Sequence, residues 1–81
     1  MITIKLFALL RDREGAGTLA VTTQAGRVDE LLAQIAREYP SLAELITHGS
    51  LLVSVNQEFA TKESAVRDGD EVALMPPFSG G

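Results

Sequence analysis

The spacing of apolar residues changes twice along the chain, and this change limits the folds that the chain can adopt. Residues 2–8 alternate between apolar and other side chains, a period of two that predicts a strand with one buried face. From Val28 to Tyr39 the apolar residues recur every three or four positions, which predicts one amphipathic helix that ends at Pro40. The alternation returns at Leu51. A single helix between strands favours a helix packed on one face of a sheet.

The remaining segments supply the other strands and turns. Leu19 and Val21 predict a second strand, antiparallel to the first, and residues 9–17 are expected to be a charged connection with room for one helical turn. Ser41 and Glu44 have the spacing of a capping box, which predicts a short second helix that ends near Gly49. Further strands are expected at residues 51–55, around Phe59 and at 71–75, with Gly69 in the tight turn before the last one.

This order of elements predicts the α+β class and the β-grasp, or ubiquitin-like, arrangement. The expected fold is a mixed sheet of about five strands packed on one main helix plus a short helix. Residues 1–75 are expected to form this domain, and residues 76–81 an extended carboxyl-terminal tail. A chain of 81 residues can bury about 60% of its surface, which is enough for one core and no second domain.

Composition excludes several classes of function. The net charge of −4 argues against binding nucleic acid through its phosphates. The chain has no cysteine and one histidine, His48, so disulfide scaffolds, thiolate zinc sites and multi-histidine metal sites are excluded. No apolar run is long enough for a membrane span, and the first residues do not have the pattern of a signal peptide. A cytoplasmic protein without a membrane or nucleic-acid partner is therefore expected.

The chemistry is expected in the last six residues, Pro76-Pro77-Phe78-Ser79-Gly80-Gly81. The two prolines cannot donate hydrogen bonds to a sheet and stiffen the chain. The terminal glycines fit a channel too narrow for a Cβ, and six extended residues reach about 20 Å. The ionised carboxylate is then an oxygen nucleophile toward an activated phosphate. The alternative is an ordinary frayed chain end.

Apolar residues that fall out of phase on the strands indicate where a partner docks. Phe7, Leu52 and Met75 are expected on the outward face, with Phe59 near them, and such a patch marks a protein interface. Phe78 is expected to anchor the tail in a groove of that partner. Arg11 is a candidate for a salt bridge to the partner. Coverage by loops is the alternative for the apolar residues, and a solvated surface position is the alternative for Arg11.

Several segments resemble the small-subunit family of molybdopterin synthase, and the similarity covers the whole chain. They are Phe7-Ala8 followed by Arg11 and an acidic residue, residues 51–57, residues 68–72 and residues 76–81. The Pro-Pro-x-x-Gly-Gly ending is the most specific of them. Related carriers of sulfur for thiamin or tRNA also end in Gly-Gly after Asp-Gly-Asp, but they typically lack the two prolines. Met75 departs from the family, which favours an aromatic residue there.

The resemblance implies a sulfur carrier in molybdenum cofactor biosynthesis. Gly81, preceded by Gly80, would be adenylated by an E1-like enzyme that uses ATP, and a sulfur donor would convert the adenylate into a thiocarboxylate. The tail, including Pro76, Pro77 and Ser79, would enter the large synthase subunit in an assembly of two small and two large subunits. The chain itself would bind no cofactor or metal and would not be an enzyme on its own.

Two other readings stay open at this point. The client could be thiamin thiazole, tRNA, or a protein lysine, and Lys5 and Lys62 of this chain are possible acceptors in such a conjugation. The chain could instead be a ubiquitin-like module that binds partners without covalent chemistry. Formation of a thiocarboxylate at Gly81 distinguishes the carriers from the non-covalent module.

Overall fold

The structure, a computed structural model, describes residues 1–48 and 51–76. In chain order these residues form β1 (Ile2–Leu6), α1 (Leu9–Glu14), β2 (Thr18–Val21), α2 (Val28–Glu38), α3 (Pro40–His48), β3 (Leu52–Val55), β4 (Glu58–Ala60) and β5 (Glu71–Met75). The predicted α2 stripe and its end before Pro40 are confirmed. Gly49, the predicted end of the second helix, lies outside the described residues.

The strands form one mixed sheet in the order β2-β1-β5-β3-β4. β1 and β5 run parallel to each other, whereas the other neighbouring strands are antiparallel. The first and last strands of the chain are therefore adjacent and lie inside the sheet. This order, with the helices packed against the sheet, is the predicted β-grasp fold.

The core lies between the inner face of the sheet and α2. Alternate residues of β1 and β5 point into it, because side chains of a strand alternate between the two faces. The residues with no exposed surface in this layer include Ile2, Ile4, Leu31, Ile35, Val72 and Leu74. Val66 in the connection before β5 is also buried. On the opposite face of the sheet, Phe7, Leu52 and Phe59 are exposed, whereas Ser54 is buried.

Two local predictions were wrong, the end of β1 and the capping box. The connection after β1 contains the expected helical segment as the six-residue helix α1. β1 ends at Leu6 and not at residue 8, because Ala8 adopts a positive φ of 53° that a strand cannot contain. The capping box does not form. α3 begins at Pro40, whose missing N–H suits a first helical position, and the Ser41 hydroxyl donates a 2.6 Å hydrogen bond to Glu14 Oε1.

Candidate functional site: an apolar patch at the root of the tail

The sheet places three outward apolar residues on neighbouring strands where the chain leaves the fold. Met75, the last residue of β5, pairs with Leu52 of β3. On the other side of β5, the Phe7 N–H donates a 3.3 Å hydrogen bond to the Leu74 carbonyl. Phe7 and Leu52 are 44% and 36% exposed, and Met75 is half-buried between them. We call Phe7, Leu52 and Met75 the tail-root patch.

Phe59 extends the same face toward the edge of the sheet. It lies opposite Ser54 on the edge strand β4, which places it diagonally across from Leu52. Diagonal neighbours on a sheet are about 7–8 Å apart, within reach of an aromatic side chain. Phe59 is 80% exposed, and three strand spacings, about 14 Å, separate its strand from that of Phe7. It therefore borders the tail-root patch but does not join Phe7 directly.

Arg11 lies on α1, directly after the turn that follows Phe7. Its side chain is exposed and forms no ion pair with any described residue. A Cβ at position 17 would lie 3.4 Å from Arg11 Cδ, so the aliphatic part of the side chain runs along the Gly17 backbone. The guanidinium is thus free to pair with an acidic group of a partner, and that role remains a prediction.

A charged pair lies one register step from the patch. Lys5 Nζ lies 3.5 Å from Glu71 Oε2, and both side chains are close to half exposed. Lys5 pairs with Ala73 and Thr3 with Glu71 in the β1–β5 ladder, so the ion pair crosses the two strands diagonally. Exposed pairs of this kind contribute little to stability. Here the pair limits the apolar patch to the end of the sheet at which the tail begins.

Pro76 marks the end of the sheet and the beginning of the tail. It is half-buried, and because it lacks an N–H it cannot continue the β5 ladder. The other predicted tail residues, Pro77, Phe78, Ser79, Gly80 and Gly81, lie outside the described residues. Five residues can span about 17 Å when extended. The predicted chemistry of Gly81 and the contacts of the tail therefore remain predictions.

The described residues also form clefts outside the tail-root patch, including one of about 360 Å³ between α2, α3 and β3. In residues 1–48 and 51–76, no three His, Cys, Asp or Glu side chains are placed to hold a metal ion. No helix in these ranges is both long and apolar enough to cross a membrane. A cleft of about 470 Å³ lies between the segment after β2 and α2, and Gln34 and Arg37 line it. Since Val21 pairs with Ile2, this cleft lies at the end of the sheet remote from Phe7.

Leu9 is a candidate partner contact that sequence reasoning missed. It is 45% exposed and begins α1, two residues after Phe7. The segment around it is charged and was read as a connection. The available signal was the run Phe7-Ala8-Leu9, three consecutive apolar residues that a period of two does not explain.

The chain is similar to a known family and to curated proteins over almost all of its length. The ThiS family model matches residues 4–81. The chain belongs to the ThiS family.

Curated proteins named molybdopterin synthase sulfur carrier subunit are similar to it over their whole length. The Haemophilus influenzae protein is 31% identical, with 100% of both chains covered. The Escherichia coli protein is 33% identical, again with 100% of both covered. The Chlamydomonas reinhardtii protein is 36% identical, with 96% of this chain and 98% of that protein covered.

Solved structures support the ThiS-type fold. The crystal structure of SAMP1 from Haloferax volcanii superposes with a TM-score of 0.83 and 33% identity, covering 99% of this chain and 98% of that one. The complex of subunits 1 and 2 of the molybdopterin-converting factor from Helicobacter pylori contains a chain that superposes with a TM-score of 0.67. That match covers 99% of this chain and 97% of the other at 21% identity, so it supports the fold alone.

Proposed function

We propose that this ThiS-family chain is the sulfur carrier of molybdopterin synthase. The observation that carries the proposal is its similarity, over the full length, to curated proteins named as that subunit. The structure adds a physical reason, because the tail-root patch lies next to Pro76, where the tail that ends in Gly80-Gly81 begins. A partner that binds the patch would therefore lie beside the start of the tail.

The proposed chemistry takes place at the carboxylate of Gly81. A carboxylate oxygen attacks the α-phosphorus of ATP on an E1-like enzyme, and pyrophosphate leaves. A hydrosulfide-equivalent donor then attacks the acyl carbon, and AMP leaves, so that one oxygen of the carboxylate is replaced by sulfur. The chain has no cysteine, so a covalently carried sulfur has no thiol side chain as an alternative place.

The second half of the reaction belongs to the partner. The thiocarboxylate tail enters the large subunit, in an assembly of two small and two large subunits, and its sulfur is transferred to a pterin precursor. The acid, base and oxyanion-stabilising groups are supplied by that subunit, so the carrier alone has no turnover. The proposal also assigns the protein to the cytoplasm and requires reversible docking, because the dithiolene product needs two sulfur atoms.

Intact-mass analysis tests the proposal. The full chain is incubated with ATP, an E1-like adenylyltransferase and a sulfur donor, and the product is added to the large subunit and the pterin precursor. We expect a species with one oxygen replaced by sulfur, followed by a dithiolene product and return of the original mass. A chain lacking Gly81 is the matched control. If the sulfur-containing species never forms with the intact chain, the carrier function is wrong.

A second function is favoured by the similarity to SAMP1, which is a small archaeal modifier protein. The activated Gly81 carbon would then form an amide with a lysine of another protein. In a cell extract with ATP, this function predicts covalent adducts that carry a Gly81-lysine isopeptide, detectable by peptide mass spectrometry. If the thiocarboxylate forms without such adducts and its sulfur is transferred to the pterin precursor, the synthase role is favoured. If the sulfur is transferred only to thiazole or tRNA, the sulfur-accepting molecule is not the pterin precursor.

A further inference from the structure

A cleft lies between the two longer helices and the edge of the sheet. It encloses about 360 Å³, and an adjoining hollow of about 250 Å³ shares Leu32, Ile46 and Lys62 with it. We call the two together the α2–α3 cleft. Leu32, Ile46 and Leu51 are only half-buried, so the cleft offers apolar surface to a further side chain. The apolar lining consists of Val28, Leu32, Ile46, Leu51, Val53 and Ala60.

The tail begins beside this cleft. The antiparallel register of β3 and β5, continued by one step, places Pro76 opposite Leu51. Side chains alternate along a strand, so Pro76 is in phase with buried Leu74, and Leu51 with buried Val53. Both residues therefore lie toward the inner face of the sheet, the face that lines the cleft. The tail-root patch lies on the other face.

The tail contains one large apolar side chain, that of Phe78. Of residues 49–50 and 77–81, which lie outside the described ranges, Phe78 alone is large and apolar. It follows Pro76 by two residues, a distance of at most about 7 Å. An aromatic side chain buries about 150–250 Å² when it is enclosed. Phe78 is therefore within reach of the cleft and has an apolar area to bury there.

A lysine at the rim of the cleft supplies a positive charge. The Asp29 N–H donates a 3.0 Å hydrogen bond to the Lys62 carbonyl, which fixes the Lys62 backbone against the start of α2. The Lys62 side chain is exposed and forms no ion pair with a described residue. The Asp29 carboxylate, which also lines the cleft, pairs with Arg27 instead.

The carboxylate at the end of the tail can reach this lysine. β4 runs antiparallel to β3 and ends at Ala60, so Lys62 lies near the end of the sheet at which β5 leaves. Only β3 lies between β4 and β5, and two strand spacings are about 10 Å. Residues 77–81 span about 17 Å when extended. The tail thus carries an aromatic ring followed by an anion, and the cleft offers an apolar hollow followed by a cation.

We propose that the tail folds back on its own chain, with the Phe78 ring in the α2–α3 cleft and the Gly81 carboxylate paired with the Lys62 ammonium. In this docked state the terminus is not extended toward a partner, so the tail must leave the cleft before Gly81 can react. A partner groove that binds Phe78 competes with the cleft for the same ring. This docked state goes beyond the proposed function and does not depend on it.

Nuclear magnetic resonance of the isolated full-length chain tests the proposal. Methyl spectra and nuclear Overhauser contacts are recorded for the wild type, for Phe78→Ala and for a chain that ends at Pro76. The methyl groups of Leu32 and Ile46, here called the cleft methyl groups, report on the docked ring. Those of Val21 are the reference, because β2 is the opposite edge of the sheet.

A pair of lysine variants tests the charge. Lys62→Gln removes the cation at the cleft. Its matched control, Lys5→Gln, removes a lysine that pairs with Glu71 and is in phase with the outward Phe7. Both side chains are exposed, so both variants should fold, and the reference methyl groups check this.

In the wild type we expect Overhauser contacts between the Phe78 ring and the cleft methyl groups. Phe78→Ala and the truncation should abolish these contacts and shift the cleft methyl groups away from their ring-current positions, while the reference methyl groups stay unchanged. Lys62→Gln should lower the ratio of docked to free tail about 1.4- to fivefold, the range of an exposed ion pair. Lys5→Gln should leave this ratio unchanged.

Three results would overturn the proposal. The cleft methyl groups could have the same shifts in the wild type and in Phe78→Ala, or Lys5→Gln could lower the docked ratio as much as Lys62→Gln. If the wild-type contacts disappear on dilution, the tail occupies the cleft of a second copy, and the intramolecular contact is wrong. No ATP, activating enzyme or synthase subunit enters these measurements, so their failure is distinct from a failure to form the thiocarboxylate.

Discussion

At the scale of single residues, Asp70 connects two turns at the end of the sheet remote from the tail. Its Oδ1 accepts a 3.0 Å hydrogen bond from Asn56 Nδ2, and its Oδ2 accepts a 2.8 Å bond from the Arg67 N–H. These bonds favour the carboxylate and hold the pKa of Asp70 below its ordinary value of 3.8, with the Asn56 bond as the larger cause. Asn56 also accepts a 3.0 Å bond from the Glu71 N–H.

Substitution Asp70→Asn tests this connection through its pH dependence. Because the pKa is lower in the folded state, the stabilisation is present above pH 3.8 and is lost as the pH falls through the folded-state value. We expect the substitution to lower the free energy of unfolding by about 1 kcal/mol at pH 7, the size of one hydrogen bond, and by less at pH 2.5. Urea denaturation at the two pH values measures both differences.

The matched control is Glu58→Gln on the edge strand β4. Glu58 is exposed and forms no side-chain hydrogen bond with a described residue. Its substitution should change the free energy of unfolding by less than about 0.5 kcal/mol at either pH. A loss in Asp70→Asn that is equally large at pH 2.5 would show that its carboxylate charge contributes nothing to stability.

Sequence patterns predicted the conformation of some of these residues but not their connection. The positive φ of Gly69, 91°, follows from a local rule for tight turns. The bond between Asn56 and Glu71 joins residues 15 positions apart, and only the pairing of β3 with β5 brings them together. The positive φ of Ala8 is likewise absent from any local pattern, and the residue before it, Phe7, is hydrogen-bonded to Leu74 of β5, 67 positions further along the chain.

At the scale of elements, the turn from β1 into α1 separates a stabilising side chain from exposed ones. Leu10 is completely buried in the core cluster, whereas Phe7 belongs to the tail-root patch and is 44% exposed. The long amphipathic helix α2 could be predicted because its 11 residues repeat the apolar stripe. The six residues of α1 are too few for a periodic signal, and a helix this short forms only through its tertiary contacts.

Two substitutions at this turn should therefore affect different properties, one the stability of the fold and the other the binding of the partner. Leu10→Ala should lower the free energy of unfolding by about 2–5 kcal/mol because it leaves a cavity in the core. Phe7→Ala should change it by less than about 1 kcal/mol, yet weaken binding to the large subunit at least tenfold, as expected of an aromatic anchor in an interface. Thermal denaturation and calorimetric titration measure the two effects. Unchanged binding in Phe7→Ala would remove the tail-root patch from the proposed docking surface.

At the scale of the whole molecule, the core and the tail are separate in sequence. Among the described residues the last core side chain is Leu74, which has no exposed surface, and the described chain ends at the half-buried Pro76. The outer face of the sheet carries the tail-root patch, whereas the inner face is occupied by α2. We therefore expect that the stability of this fold and the proposed chemistry of its terminus can be altered independently, which would suit a carrier that docks, reacts and leaves.

A change in tail length tests this independence most directly. Deleting Gly81, or adding one alanine after it, displaces the terminal carboxylate by about 3.5 Å along an extended tail. We expect either change to reduce thiocarboxylate formation at least a hundredfold, because adenylation requires the carboxylate within reach of the ATP α-phosphorus and small misplacements cost about that much. The added Cβ would also clash with the predicted partner channel, which is expected to accept only glycine. The melting temperature should stay within about 1 °C of the wild type, because the core side chains of residues 1–48 and 51–76 are left unchanged.

The conservative control is Ser79→Ala, which keeps the length of the tail and both terminal glycines. It should form the thiocarboxylate at close to the wild-type rate if the length of the tail and the absence of a Cβ on the last two residues decide the reaction. Intact-mass analysis of all variants after equal incubation measures the yield. If a chain extended by one alanine still reacts at the wild-type rate, the carboxylate of a terminal Gly-Gly is excluded as the reacting group. If Ser79→Ala greatly reduces the thiocarboxylate yield, the serine hydroxyl contributes to recognition by the partner.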